Sequence, residues 1–471
     1  MGHKDSRISS EWIDRLVGGS FQSELLDVRI SRPGFGPYLG CGVLQWQDAP
    51  DGIKVEANTP SDINLMRVWL ASGPPPGKLF AEEDFWSVRA RTPEQVEVSA
   101  DWLLQNGELS GPSVRWVLHP KRVTLTFREE SSLSRFLGVI RLEDRHIWTR
   151  CTPDLRQCSQ SCAVHYTYCL PVQSKYASIR LLEGPGSLGI VEIIPSENAA
   201  AGLETVARCF LTALGFLFGH FIQFLGYEWS NGQVRQHVLF SRAGERENQW
   251  YKPLQPPWVA RKALSVESLL ARAVDYLVEN GENCLLAAIL STCWNVADCF
   301  ITSRALVAAV LLERLAREAW NALDRPPGLA NLRKDIDLVS RMLSENPDQF
   351  ASENFVARAC GMLGAMKSPQ CREMLYHIRD EGGVSIRDDE VEAWDSIRNR
   401  LAHGNFADWV TVRYPLQHAV DDCSRVAGTI NKLALYLFGY EGPYIEYSES
   451  GWPEKDFQPS YRPGARVKSP D

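Results

Sequence analysis

The side chains best suited to chemistry lie near the carboxyl end of the chain, between Asp395 and Gly404. Arg398 carries a planar, permanently charged guanidinium that suits phosphate oxygens. Asn399 follows it and can orient a phosphate or a neighbouring side chain. His403 titrates near neutral pH and can transfer a proton. This set of residue types suits proton transfer and charge stabilisation at a phosphodiester.

An amphipathic helix must position these side chains. Val391, Trp394, Ile397 and Leu401 recur at spacings of three and four residues, which predicts one apolar helix face. Gly404 follows where a helix favours a left-handed residue at its carboxyl end. The sequence therefore predicts a helix over residues 388–402 that carries the polar set at its end.

Helical geometry separates Arg398 from His403. A helix turns by about 100° per residue, so Asp395, Asn399 and His403 share one polar stripe. Arg398 projects about 140° away from His403, toward one edge of the apolar face. The two side chains can meet on one ligand only if the helix frays at Gly404 or if a second copy completes the site. The geometry favours a two-fold dimer in which two motif helices face each other.

The run from Arg398 to Gly404, Arg-Asn-Arg-Leu-Ala-His-Gly, resembles the signature of the HEPN superfamily. In that signature an Arg is followed by a polar residue and, a few residues later, by a His at a helix end. The resemblance implies an all-α domain with a four-helix core, built as a homodimer. It also implies an endoribonuclease that needs no metal or other cofactor.

The larger layout resembles the ApeA-type HEPN proteins of bacterial anti-phage defence. It combines a β-rich N-terminal region, an apolar helix containing residues 214–219 (Leu-Gly-Phe-Leu-Phe-Gly) and a C-terminal helical domain. The resemblance implies a cytoplasmic protein that acts in abortive infection. We expect the N-terminal region to restrain the nuclease until it senses a ligand or a phage protein, because an unrestrained RNase would harm its host.

RNA supplies its own nucleophile, the 2′-hydroxyl. Cleavage without a metal needs a base for that hydroxyl, an acid for the leaving 5′-oxygen and cationic donors for the phosphorane. Arg398, Asn399 and His403 are the predicted catalytic residues. The alternative hypothesis is a non-catalytic HEPN module used for binding or scaffolding.

Three further residues are predicted to support this site. Asp395 could hold Asn399 or Arg400 from the polar stripe, and Arg400 itself adds a second cation. Glu313, in an earlier helix, is a candidate partner for Arg398. A charge at the margin of an apolar face needs such a partner or a cleft, because burying it unpaired is costly.

The fold class predicted for the whole chain is α+β, with a β-rich N-terminal region followed by an all-α, HEPN-like helical bundle. Short apolar runs with frequent Gly and Pro turns predict many strands, including a hairpin formed by residues 113–118 and 121–127. The expected parts are a flexible N-terminus (1–10), a β-rich sensing domain (11–258) with an apolar helix near 199–225, a helical domain (259–440) and a poorly ordered tail (441–471).

Composition is that of an ordinary globular protein, with 44% hydrophobic residues in 471. Lys and Arg number 50 against 58 Asp and Glu, which gives a net charge of −8. This acidic balance argues against a general nucleic-acid coat protein but permits a local basic cleft. The chain opens without a signal-peptide pattern, so its twelve Cys are expected to be reduced thiols.

Two other possibilities arise from the sequence. Cys158, Cys162, His165 and Cys169 form a cluster of potential zinc ligands. Only the first pair has the usual spacing, so buried thiols are favoured over a metal site. The apolar stretch at 206–226 approaches the length of a membrane span, but its polar interruptions favour a buried helix and no membrane contact.

Overall fold

A computed structural model gives the α+β fold, with a large antiparallel sheet followed by a helical region. The predicted fold class is confirmed. The structure describes residues 11–49, 52–60, 85–103, 107–110, 113–128, 134–142, 169–196, 202–231, 233–241, 249–254, 264–323, 327–346, 353–366, 369–402 and 416–460.

The chain divides into two compact units, and the division differs from the predicted domain boundary at residue 258. The β unit comprises 1–211 and 222–246, and the helical unit comprises 212–221 and 247–471. Helix α2 (Leu203–Phe218) is shorter than the helix predicted near 199–225, and its second half belongs to the helical unit. The second half belongs there because of its packing: Phe216 contacts Phe438 edge-on, and a side chain at position 215 would collide with Trp294.

The β unit begins with helix α1 (Glu11–Val17) and continues with the strands of one antiparallel sheet. Across its described residues the spatial order is β10-β11-β12-β9-β13-β14-β8-β5-β4-β1-β2-β3-β7-β6. The strands are β1 (Ser20–Arg32), β2 (Phe35–Gln47), β3 (Ile53–Pro60), β4 (Trp86–Arg91), β5 (Glu97–Leu103), β6 (Gly107–Ser110), β7 (Ser113–Leu118), β8 (Arg122–Arg128), β9 (Arg135–Arg141), β10 (Cys169–Gln173), β11 (Ala177–Glu183), β12 (Leu188–Pro195), β13 (Phe224–Ser230) and β14 (Val234–Phe240).

Alternating side chains explain how this sheet builds its core. Successive residues of a strand point to opposite faces, and in β3 every second side chain from Ile53 to Ala57 is buried. Three tryptophans, Trp46, Trp86 and Trp116, are almost fully buried in the same apolar cluster. The cluster also receives Trp12, Ile13 and Leu16 of α1.

The predicted hairpin of residues 113–118 and 121–127 is wrong, although both strands exist. Strand β7 pairs with β3 and β6, whereas β8 pairs with β14 and β5. Strand formation follows from local alternation, but the choice of partner depends on which faces the rest of the sheet must cover.

The helical unit is built around helix α5, which packs against α4, α8, α9 and α10. After α2, its helices are α3 (Leu264–Asn280), α4 (Leu285–Val296), α5 (Ile301–Asn321), α6 (Pro327–Glu345), α7 (Glu353–Met366), α8 (Cys371–Gly382), α9 (Asp388–Ala402) and α10 (Leu416–Leu437). Helix α9 has the bounds predicted for residues 388–402, because a regular apolar spacing marks it.

The prediction of a poorly ordered tail is wrong for the described residues 441–460. Strands β15 (Gly442–Ile445) and β16 (Glu454–Phe457) pair as a hairpin. Tyr444 and Tyr447 are buried, and the Tyr447 hydroxyl donates to the carbonyl of Lys252. Aromatic burial outweighs the Pro- and Ser-rich composition on which the prediction depended. Residues 461–471 and the predicted flexible segment 1–10 lie outside the described residues.

The apolar stretch at 206–226 has nearly the length of a membrane span. Across the part of the chain that the structure describes, no helix combines the length and apolarity needed to cross a bilayer. Phe210 and Leu214, on the apolar face of α2, are fully buried within the protein.

Candidate functional site

Helix α9 carries the predicted catalytic motif and has the predicted apolar face. Val391 and Ile397 are fully buried, and Trp394 is nearly so. The first turn is acidic, which suits the positive end of the helix dipole. The Glu390 side chain also accepts a hydrogen bond from the Arg387 backbone N–H at 2.8 Å, which fixes the start of the helix.

A fully buried lysine anchors the start of α9. Lys432 of α10 donates to Glu390 Oε1 at 2.7 Å and to the carbonyl of Ser385 at 2.8 Å, and it lies 3.0 Å from Glu446 Oε2. Glu446 lies just after β15, so the C-terminal hairpin contributes to this anchor. The motif helix is thus held by α10 and by the tail together.

The pKa values of the two carboxylates in this cluster shift in opposite directions. Desolvation raises the pKa of Glu390 despite the attraction of Lys432. Desolvation also acts to raise the pKa of Glu446, but the charge of Lys432 and hydrogen bonds from Ser448 and Tyr444 outweigh it and lower that pKa.

Arg398 is held at the surface where α9 packs on α5. Its Nε lies 3.2 Å from Glu313 Oε2, and its guanidinium carbon lies 5.8 Å from the centre of the Trp394 ring. The Trp394 indole N–H donates to the carbonyl of Ala309 at 3.1 Å and joins the same two helices. The expected pairing of Glu313 with Arg398 is therefore present, whereas a catalytic role for either residue stays a prediction.

Exposure distinguishes Arg398 from a buried structural arginine. The Arg398 side chain is 49% exposed and that of Glu313 is 31% exposed, so both remain accessible to a ligand. Asn399, the next residue of the motif, is also exposed. Both side chains are accessible, although consecutive residues of a helix project about 100° apart.

Asp395 does not have the predicted partner. In place of support for Asn399 or Arg400, its Oδ2 lies 3.1 Å from a terminal nitrogen of Arg372 in the first turn of α8. The polar stripe predicted its exposure but could not reveal that α8 brings an arginine alongside.

His403 and Gly404 lie outside the described residues, so the structure gives the geometry of the arginine half of the motif. In the zinc alternative, Cys158, Cys162 and His165 also lie outside them, and Cys169 is buried in strand β10. Within the described residues, no group of three or more potential ligands could hold a metal ion.

Several arginines lie around the C-terminal half of α9, and the sequence analysis did not predict them. Arg314 and Arg317 are exposed on α5, one and four residues after Glu313, and Arg372 is adjacent on α8. Burial raises the pKa of the Cys371 thiol. The charge of Glu313 adds to this rise, whereas those of Arg398 and Arg317 oppose it. The sequence pattern that could have predicted them is the presence of two arginines on the same helix as Glu313.

The β unit contains a cavity of about 740 Å³. His237 lines it and is stacked on Trp12, with the ring centres 4.4 Å apart, and it also contacts Phe127. Its Nε2 lies 3.2 Å from Glu228 Oε2, which is also buried. Burial lowers the pKa of His237, although Glu228 acts to raise it.

Comparison of the chain with protein-family models, curated proteins and solved structures finds no match.

Proposed function

We propose that this protein is a metal-independent endoribonuclease of the HEPN type that acts in bacterial anti-phage defence by abortive infection. The observation that carries the proposal is the presentation of Arg398 and Asn399. Arg398 is oriented by Glu313 and Trp394 yet half exposed, and Asn399, the next residue in the chain, is also exposed. A pre-oriented guanidinium at the surface suits recognition of a phosphate.

The proposed chemistry assigns one task to each group. The RNA 2′-hydroxyl attacks the adjacent phosphorus, and the bond to the 5′-oxygen breaks to leave a 2′,3′-cyclic phosphate. Arg398 stabilises the negative charge of the phosphorane, and Asn399 orients the phosphate. His403 accepts the proton of the attacking 2′-hydroxyl and passes a proton to the leaving 5′-oxygen, two tasks that suit an imidazole because the reference pKa of histidine lies near neutral pH.

The proposal includes a homodimer formed through the helical unit. On one helix, Arg398 and His403 project about 140° apart, so a second motif helix would supply the missing half of the site. We also assign the protein to the cytoplasm, where its RNA substrate is found.

The β unit is proposed to sense a phage-derived trigger. Its cavity of about 740 Å³ supports a binding role, since it falls within the size range of small-molecule sites. Aromatic and charged side chains line this cavity, among them Trp12, Phe21, Arg135 and His237.

The decisive test replaces Arg398 or His403 with Ala and measures cleavage of total RNA by purified protein. We expect the cleavage rate of each variant to fall by about 100-fold or more, because Arg398→Ala removes the stabilisation of the phosphorane charge and His403→Ala removes proton transfer. Arg341→Ala, which removes an exposed arginine of α6, is the matched control and should cleave as wild type does. Activity in the Arg398→Ala variant equal to wild type would end the assignment.

The ion pair between Arg398 and Glu313 also favours a second function, a non-catalytic binding or scaffold module. There the pair would serve only to join α5 to α9. A dimer that binds RNA or a protein partner and leaves RNA intact, even in extract from phage-infected cells, would support this second function.

A further inference from the structure

An exposed stripe runs along α5 beside the candidate site. Val310, Arg314, Arg317 and Asn321 recur at spacings of four, three and four residues, and all four are exposed. This spacing places them on one face of the helix. The opposite face, which includes Leu312 and Leu315, is fully buried.

The stripe forms one wall of a groove of about 480 Å³ between α4 and α5. The lining residues combine apolar, amide and charged side chains: Leu285, Val310, Glu313, Arg314, Arg317, Glu318 and Asn321. Glu313 belongs both to this groove and to the ion pair with Arg398. The groove therefore borders the arginine of the motif.

Two arginines of the groove are available to bind an anion. No described carboxylate lies within ion-pair distance of the guanidinium of Arg314 or Arg317, while Glu313 is paired with Arg398. The lining as a whole is neutral, with two arginines and two glutamates, and Arg398 at its border pairs with Glu313. Exposed guanidinium groups that form no ion pair with a described carboxylate can attract a polyanion.

We propose that this groove binds a nucleotide of single-stranded RNA next to the bond that is cleaved. The inference rests on the proposed ribonuclease function and extends it to specific residues. Arg314 and Arg317 hold backbone phosphates, since guanidinium groups pair with phosphate oxygens in a two-pronged geometry. The subsite thereby sets which phosphate reaches Arg398.

The remaining lining residues suit the rest of a nucleotide. Leu285 and Val310 offer apolar surface to a ribose or base, and a guanidinium plane can stack on a base. The Asn321 amide provides both a donor and an acceptor for a base edge. Single-stranded RNA exposes these edges, whereas a duplex hides them.

The test measures binding of a short fluorescein-labelled single-stranded RNA in which every 2′-hydroxyl is methylated, so that it cannot be cleaved. The double variant R314A/R317A should bind it at least about tenfold more weakly than wild type. Its affinity should also depend less on salt, with a log–log slope shallower by about 1.4 for two lost phosphate contacts.

The matched control is K334A/R341A, which removes two positive charges from exposed positions of α6. It should retain the affinity and salt slope of wild type. R314K/R317K should recover part of the affinity, because it restores the charge without the planar fork.

Equal binding by R314A/R317A and wild type would overturn the subsite, and the ribonuclease function would stand if R398A still abolished cleavage. An altered molecular mass of R314A/R317A with unchanged RNA affinity would also overturn it, because the groove would then belong to the dimer interface. Wild-type protein that neither binds nor cleaves RNA would overturn the proposed function together with the subsite.

Discussion

Two neighbouring side chains hold the guanidinium of Arg398 in place. Glu313 fixes one edge of the group and Trp394 lies under it, yet about half of the side chain faces solvent. A half-exposed ion pair contributes at most about 1 kcal/mol to folding. Its larger proposed effect is on orientation, because an arginine that is already ordered loses less entropy when a phosphate binds.

Replacing Glu313 with Gln should therefore affect turnover more than stability. We expect kcat for RNA cleavage to fall about tenfold while KM changes little and the free energy of unfolding changes by less than about 1 kcal/mol. Glu313→Asp should recover part of kcat, and Glu381→Gln, at an exposed position of α8, is the charge-matched control. A variant whose loss of activity is fully explained by unfolding would contradict the positioning role.

Lys432 anchors the start of the motif helix through its buried ammonium group. Its fully buried ammonium interacts with two carboxylates and a carbonyl. Lys432→Met should cost about 3–5 kcal/mol of folding free energy, because it leaves Glu390 and Glu446 buried without their cation. Denaturant unfolding measures this cost.

The companion variant K432M/E390Q/E446Q tests the cause of that loss. It should recover much of the stability, because neutral amides need no buried cation. If it remains as unstable as Lys432→Met, packing rather than uncompensated charge explains the effect of the lysine.

At the scale of elements, the C-terminal hairpin is part of the scaffold for α9. Glu446 follows β15 and joins Lys432, while Tyr444 donates from its hydroxyl to the Glu446 carboxylate at 2.8 Å. The tail hairpin, α10 and the motif helix are therefore coupled through one buried cluster.

This coupling predicts a specific loss of stability in acid. The lowered pKa of Glu446 means that its contribution is complete above the ordinary glutamate pKa of about 4.3 and is lost as pH falls through the lower, folded value. Glu390 has the opposite sign, because its raised pKa favours proton uptake by the folded state. Glu446→Gln should thus flatten the fall of the melting temperature below about pH 4.3, relative to wild type. An unchanged acid limb would contradict this role of Glu446.

Elements with strong local patterns could be predicted, and their partners could not. The apolar spacing of Val391, Trp394 and Ile397 was sufficient to predict the bounds and the buried face of α9. Strands β7 and β8 were also predictable, but their pairing was not, since adjacent strands in sequence need not be neighbours in a sheet. The tail hairpin was missed because its stability comes from burial against distant residues such as Lys252.

The same limit applies to the candidate site. The motif residues and the partner of Arg398 were accessible to reasoning from residue types and helix geometry. Arg372 beside Asp395 and the arginine stripe of α5 were not, because both depend on how helices distant in sequence pack together. Helix packing, rather than the motif alone, brings these arginines together.

At the scale of the whole molecule, an acidic chain presents four arginines on the surface around its motif helix, namely Arg314, Arg317, Arg372 and Arg398. Net charge would slow approach to RNA, whereas the arginines around Arg398 would favour it locally. Salt should therefore weaken RNA binding strongly despite the net charge of −8. The proposed β-unit sensor would control when this surface is used.

The most direct test of ribonuclease function is incubation of the wild-type protein with total RNA, without added metal and with a chelator, followed by mapping of the new ends. Extract from phage-infected cells supplies the proposed trigger, and Arg398→Ala protein serves as the control. We predict new 3′ ends that carry a 2′,3′-cyclic phosphate with wild type and none with Arg398→Ala. Intact RNA with and without the extract, or equal cleavage by both proteins, would contradict the account.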